Sequence, residues 1–171
     1  SRPWRSSFSV LASGVARSMA QHSCLVEAIA VSMQPDMSDA WLRTVLLHDA
    51  PEYVVGDVIT PLKAALGADF AAIEARLLIA VHLAFGLPPD APPALTKLIK
   101  QADRAAAGLE ARVLAGFSEA EAGALFGRPA VARDAVEAFL TPWPSPVAEA
   151  RFRDRVLACR ETQSTGHRAA I

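Results

Sequence analysis

The sequence predicts an all-α fold, and three observations carry that prediction. Alanine, leucine, glutamate and arginine dominate, runs of β-branched residues are short, and apolar positions recur at spacings of three and four rather than two. A chain of 171 residues, 52% apolar and 20% charged, has enough hydrophobic material for one buried core and lacks the polar excess of a disordered chain. One domain over residues 15–160 is expected, preceded by a segment 1–14 and followed by a polar, flexible tail 161–171.

The first helix is expected over residues 15–33, where Met19, Leu25, Val26, Ile29 and Met33 mark one face and His22 falls on the same stripe. Ser38 can cap the next helix, with Asp39 favourable in its first turn. Leu42, Val45 and Leu46 then carry an apolar face down to His48 and Asp49. Pro51 opens a new direction, and residues 51–63, with Gly56 and Pro61, read as a loop with about one helical turn at each end. A long helix follows over 69–85 with Phe70, Ile73, Leu77 and Val81 inward, until Pro88, Pro89, Pro92 and Pro93 break it. Leu95, Leu98, Ile99, Ala102, Ala106, Leu109 and Val113 define the next long helix and place Asp103 beside its apolar stripe. Ser118 and Glu121 form a capping box for a short helix to Phe126. Helical segments over 131–140 and 147–159 are separated by Pro142-Trp143-Pro144.

Composition narrows the partners. With a formal charge of −1 and a pI near 6.4, the chain has no electrostatic footprint of a nucleic-acid or membrane-surface binder, so a small ligand is expected. The most apolar run, Leu77 to Leu87, is eleven residues long, well short of the roughly 20 that span a bilayer. Cys24 and Cys159 have neither CxxC spacing nor the density of a disulfide framework. No leader pattern is visible at the start, and a cytoplasmic setting is the expectation. His82, inside an apolar helix, reads as a core histidine.

The chemistry sits in His22, His48, Asp49 and Asp103. Taken singly, an inward histidine or aspartate is more often a hydrogen-bonded core group than a ligand. Together they place two imidazoles and two carboxylates on three helices, and burying carboxylates is costly unless a cation compensates them. Two nitrogen and two oxygen donors suit one borderline divalent metal: cobalt, manganese, zinc, iron or nickel in preference to magnesium. Glu52, four residues after His48, is placed either to act as a general base or simply to begin a helix.

The run Leu46-Leu47-His48-Asp49-Ala50-Pro51-Glu52, followed by Gly56-Asp57 and Thr60-Pro61-Leu62-Lys63, resembles HD-domain phosphohydrolases of the bacterial 5'-deoxynucleotidase branch. Ala20-Gln21-His22-Ser23 is similar to that family's first metal histidine, and Lys100-Gln101-Ala102-Asp103 to its last metal aspartate, in the family's order. The resemblance runs from about Ala20 to Phe126. It implies a compact HD-domain bundle of about six to eight helices, with a metal held by His22, His48, Asp49 and Asp103. It also implies Glu52 handling the proton of water and Asp57 as a second acidic residue near the sugar. The substrate implied is a small nucleotide, foremost a deoxynucleoside 5'-monophosphate; triphosphate or pyrophosphate release and a non-catalytic binding module are the alternatives. Thr60, Lys63 and Arg104 are candidate phosphate contacts, offering a hydroxyl donor and two cations. A homodimer is implied as well. The first fourteen residues do not align: the branch has an Arg-Trp pair ahead of the first metal histidine, whereas this chain has Pro3-Trp4-Arg5, in reversed order. Trp4 either stacks on a base or packs as an ordinary apolar residue.

Overall fold

The computed structural model describes residues 18–56, 58, 60–127, 131 and 136–161. Asp57, the side chain of Thr60, Trp4 and the expected tail beyond Glu161 lie outside the described residues. Among the described residues the fold is all-helical: α1 Met19–Met33, α2 Asp39–Leu46, α3 Glu52–Val55, α4 Thr60–Ala84, α5 Pro93–Leu114, α6 Glu119–Phe126, a 3-10 turn Glu137–Phe139, and α7 Ser145–Glu161. No helix among them is long and apolar enough to cross a membrane.

α1 is the centre of the bundle, in contact with α2, α5, α7 and the 3-10 turn. Its expected start is corrected: Ser18 is extended and its hydroxyl accepts from the Gln21 N–H, so the helix begins at Met19 rather than at residue 15. Its expected single apolar face is corrected too. Leu25, Val26, Ile29 and Ala30 are fully buried, but so are Gln21, Ser23 and Glu27 on other sides, because partners surround the helix. The buried polar groups are matched. Gln21 Nε2 donates to the carbonyls of Phe139 (3.1 Å) and Thr141 (2.7 Å), and its Oε1 accepts from the Trp143 N–H (2.9 Å). Glu27 accepts from Arg155 Nε at 2.7 Å. Gln21 thereby pins the chain after the 3-10 turn to the first turn of α1.

The main core joins Leu25, Val26, Ile29 and Ala30 to Val45 of α2 and to Leu95, Leu98, Ala102, Ala105 and Ala106 of α5. The alanines of α5 let its backbone approach α1 closely, which brings side chains flanking that seam within reach of each other. A smaller cluster of Leu46, Val156 and Cys159 attaches α7 to α2. Arg43, itself buried, donates from α2 to the carbonyls of Phe85 and Cys159.

Ser38 and Ser118 cap α2 and α6 as the sequence predicts, the latter in a complete capping box with Glu121. Gly67, at φ 73°, breaks α4 two residues before the expected start of its long half. Two inward assignments are corrected. Ile73 is 47% exposed, because α4 is rotated so that Glu74, Leu77, Leu78 and His82 face inward. Val113 is 49% exposed on the last turn of α5, where it borders a cavity. His82 is a core histidine, 2% exposed, with Nδ1 3.1 Å from the Pro89 carbonyl. Of the segment expected to be helical over 131–140, the described part holds the 3-10 turn alone as an element.

Candidate metal centre

Three chain segments meet at one point. His22 projects from the first turn of α1, Asp103 from the middle of α5, and His48 and Asp49 from the turn that ends α2. That turn is a tightening of the helix end: the N–H of Leu47 still reaches the Arg43 carbonyl, but those of His48 and Ala50 bond three residues back, to Val45 and Leu47. At this turn His48 Nε2 and Asp49 Oδ2 come within 3.1 Å of each other. The packing of α2 and α5 on α1 then brings them to His22.

One ligand atom from each of His22, His48, Asp49 and Asp103 can be chosen so that all lie within 4.8 Å of one another. His22 Nε2 is 3.1 Å from Asp103 Oδ1 and 3.7 Å from Asp49 Oδ2, and His48 Nε2 is 3.1 Å from Asp49 Oδ2. The donor set fits a divalent cation on two further grounds. The spread of up to 4.8 Å is within a few tenths of an ångström of the roughly 4.4 Å that opposite ligands of one ion span at bond lengths of about 2.2 Å. His48 Nδ1 is committed to the Val45 carbonyl at 2.8 Å, so its buried Nε2, 3.1 Å from Asp49 Oδ2 but not aligned for a hydrogen bond to it, keeps a lone pair for the cluster.

The electrostatics match a site built for positive charge. Burial pulls the His22 imidazolium down, but hydrogen bonds and charges from Asp103 and Glu110 outweigh it and push the group up to about 10. Burial raises Asp49, yet His48, His22 and Lys63 overcome it and hold its carboxyl below the usual range. Glu110 is the residue that reading the sequence missed: both its carboxylate oxygens lie 3.1 Å from His22 Nδ1. Its one sequence signal is its place seven residues after Asp103, two turns along the same face of α5.

Glu52, the first residue of α3, shares with His48, Asp49, Lys63 and Glu74 the wall of a cavity of about 220 Å³. Lys63 Nζ donates to Glu52 Oε1 at 3.0 Å and to Glu74 Oε1 at 2.9 Å. Glu74 foremost, then Glu52, hold its ammonium above the ordinary lysine range, although partial burial opposes them. Arg104 is placed elsewhere: its Nε donates to the Phe126 carbonyl at 2.9 Å and an Nη to that of Leu125 at 3.0 Å, so it caps the C-terminus of α6 and does not line this cavity. The structure thus places the Arg104 guanidinium on helix carbonyls, apart from the cavity that Glu52 and Lys63 share. A larger cavity of about 410 Å³, between α5 and α6, is walled mainly by apolar and small residues and includes none of the four ligand candidates.

No protein-family model matches the chain. It is 51% identical over 114 residues to an uncharacterized protein of Rhodobacter capsulatus, a match that covers 67% of this chain and 58% of that protein's length. The chain thus spans less than two thirds of the relative it matches.

Proposed function

We propose that the protein is a divalent-metal-dependent phosphohydrolase acting on a small nucleotide, foremost a deoxynucleoside 5'-monophosphate. The observation that carries the proposal is the meeting of His22, His48, Asp49 and Asp103 within 4.8 Å, beside a cavity that Glu52 shares with the His48-Asp49 pair. The nucleotide class rests on the resemblance of residues 46–63 to the HD-domain deoxynucleotidases; the chemistry rests on the donor set. A homodimer and a cytoplasmic setting follow from the same resemblance and from composition.

Bound at these four residues, a divalent cation polarises a phosphoryl oxygen and lowers the pKa of water, which is what hydrolysis at neutral pH requires. Cobalt, manganese, zinc, iron or nickel suit two imidazoles and two carboxylates better than magnesium does. The protein's own residues supply the rest. His48, held by the Val45 carbonyl, and His22, held by Glu110, keep their rings oriented so that each Nε2 faces the site, His22 after giving up the Nε2 proton it shares with Asp103. Glu52 is positioned to take the proton from the attacking water and return it to the leaving oxygen. Lys63 pairs with Glu52 and orients it, and a phosphate contact by Lys63 displaces one of its two carboxylate partners. Asp57 and Thr60 keep the roles the resemblance implies, near the sugar and at the phosphate.

The test is phosphate release from a panel of deoxy- and ribonucleoside mono-, di- and triphosphates, using metal-stripped protein supplied in turn with manganese, cobalt, zinc and magnesium. Metal-dependent release of inorganic phosphate from monophosphates is the expected result. Release of pyrophosphate or triphosphate instead moves the protein to the sibling chemistry. Silence with every metal and nucleotide sinks the enzymatic reading in favour of a binding module.

A further inference from the structure

We propose that Glu110 is the positioning residue of the metal centre, holding His22 as the Nδ1–H tautomer so that Nε2 offers its lone pair to a divalent cation shared with His48, Asp49 and Asp103. The inference rests on the metal-centre reading above and deepens it.

The argument is geometric. A carboxylate has no proton to give, so where both oxygens of Glu110 lie 3.1 Å from Nδ1, the ring nitrogen must be the donor. Nε2 faces Asp103 Oδ1 at the same 3.1 Å, so both nitrogens donate until a cation takes Nε2 and Asp103 together; the one proton then left on the ring stays on Nδ1, held by Glu110. That leaves Nε2, the nitrogen 3.1 Å from Asp103 Oδ1 and 3.7 Å from Asp49 Oδ2, as the ligand atom. Glu110 and Asp103 lie two turns apart on α5 and grip the imidazole from its two ends, so a single rigid helix sets both the orientation of the ring and its tautomer. Both Glu110 and His22 side chains are four-fifths buried, which keeps water from competing for Nδ1.

His48 is fixed differently. Its Nδ1 donates to the Val45 carbonyl, a neutral backbone acceptor that no substitution of a side chain removes. His22 depends on a charged side chain, which leaves its affinity for metal exposed to a single mutation. A purely structural ion pair between Glu110 and His22 would be felt in stability and not in the metal.

The test is cobalt(II) affinity of the full chain by competition with a chromophoric chelator, for wild type, Glu110→Ala and the near-isosteric Glu110→Gln. Circular dichroism checks that each variant is folded. Loss of the outer partner should weaken cobalt binding about 10–100-fold in Glu110→Ala. Glu110→Gln should recover part of that loss, because its amide oxygen still accepts from Nδ1–H. Unchanged cobalt affinity in folded Glu110→Ala, or no recovery of affinity in Glu110→Gln, overturns the positioning role while leaving the metal centre standing. Failure of the wild type itself to bind cobalt overturns the metal centre and this role with it.

Discussion

Metal binding at this site must expel a proton, and the amount is set by His22. With its group pushed up to about 10 by Asp103 and Glu110 against the pull of burial, the imidazole is protonated at both nitrogens near neutral pH. A cation that takes Nε2 replaces the proton shared with Asp103, whereas the Nδ1 proton stays with Glu110. Loading at pH 7–8 should therefore release about one proton per metal from His22. Because one proton is exchanged, apparent affinity should rise about tenfold per pH unit below 10, or roughly 100-fold between pH 7 and pH 9. The assay is calorimetric titration of cobalt, buffered by a weak chelator, into metal-stripped protein in two buffers of different ionisation enthalpy, repeated at each pH. A flat affinity, with no proton released at any pH, would refute His22 as a ligand drawn from a protonated state. The same group gives the metal-free protein a pH-dependent stability. Its folded pKa lies above the ordinary value of 6.5, so the stabilisation is fully present below about 6.5 and is lost as pH rises through about 10, which denaturant midpoints across that window would register.

Three further outcomes are expected. Asp49→Ala should abolish cobalt binding and turnover together, while Glu52→Ala should keep the metal and lose most turnover; a Glu52→Ala protein that still turns over at the wild-type rate removes the proton-transfer role. Gln21→Ala should destabilise the fold by about 3 kcal/mol, roughly 1 kcal/mol for each of its three hydrogen bonds. That corresponds to a Tm lowered by about 6–12 °C, and a loss under about 1 kcal/mol in urea titration would show that the segment after the 3-10 turn is not held by Gln21. Arg104→Ala should lower Tm by a few degrees through loss of the α6 cap and leave KM unchanged; a raised KM would return Arg104 to the substrate.

The candidate site was largely legible before folding was considered, for identifiable reasons. His22, His48, Asp49 and Asp103 are polar groups in apolar stretches, and the structure brings all four together, although the Asp103 side chain stays nearly half exposed rather than buried. The caps at Ser38 and Ser118 are local hydrogen-bond patterns that need no tertiary information. What escaped was long-range. Glu110 looks like any solvent-facing acid on α5 until α1 lays His22 against it. Arg104 follows a ligand candidate in sequence, yet its side chain leaves in another direction and meets α6 instead. Gln21 reads as a neutral polar residue beside a histidine, and its three partners lie about 120 residues away.

By itself the sequence determined the helical class, the places where most helices begin and end, and the chemical identity of the four metal-ligand candidates, because periodicity, caps and residue chemistry are properties of neighbours along the chain. The tertiary structure decided which side of each helix is buried and which partner each charged group takes. α1 is enclosed by several helices, so its amphipathic pattern is blurred by Gln21, Ser23 and Glu27. Glu74, rather than Ile73, is the less exposed of the pair on α4, with its carboxylate 2.9 Å from the Lys63 ammonium. Such choices depend on distances between residues far apart in the chain, and only the packed fold sets those.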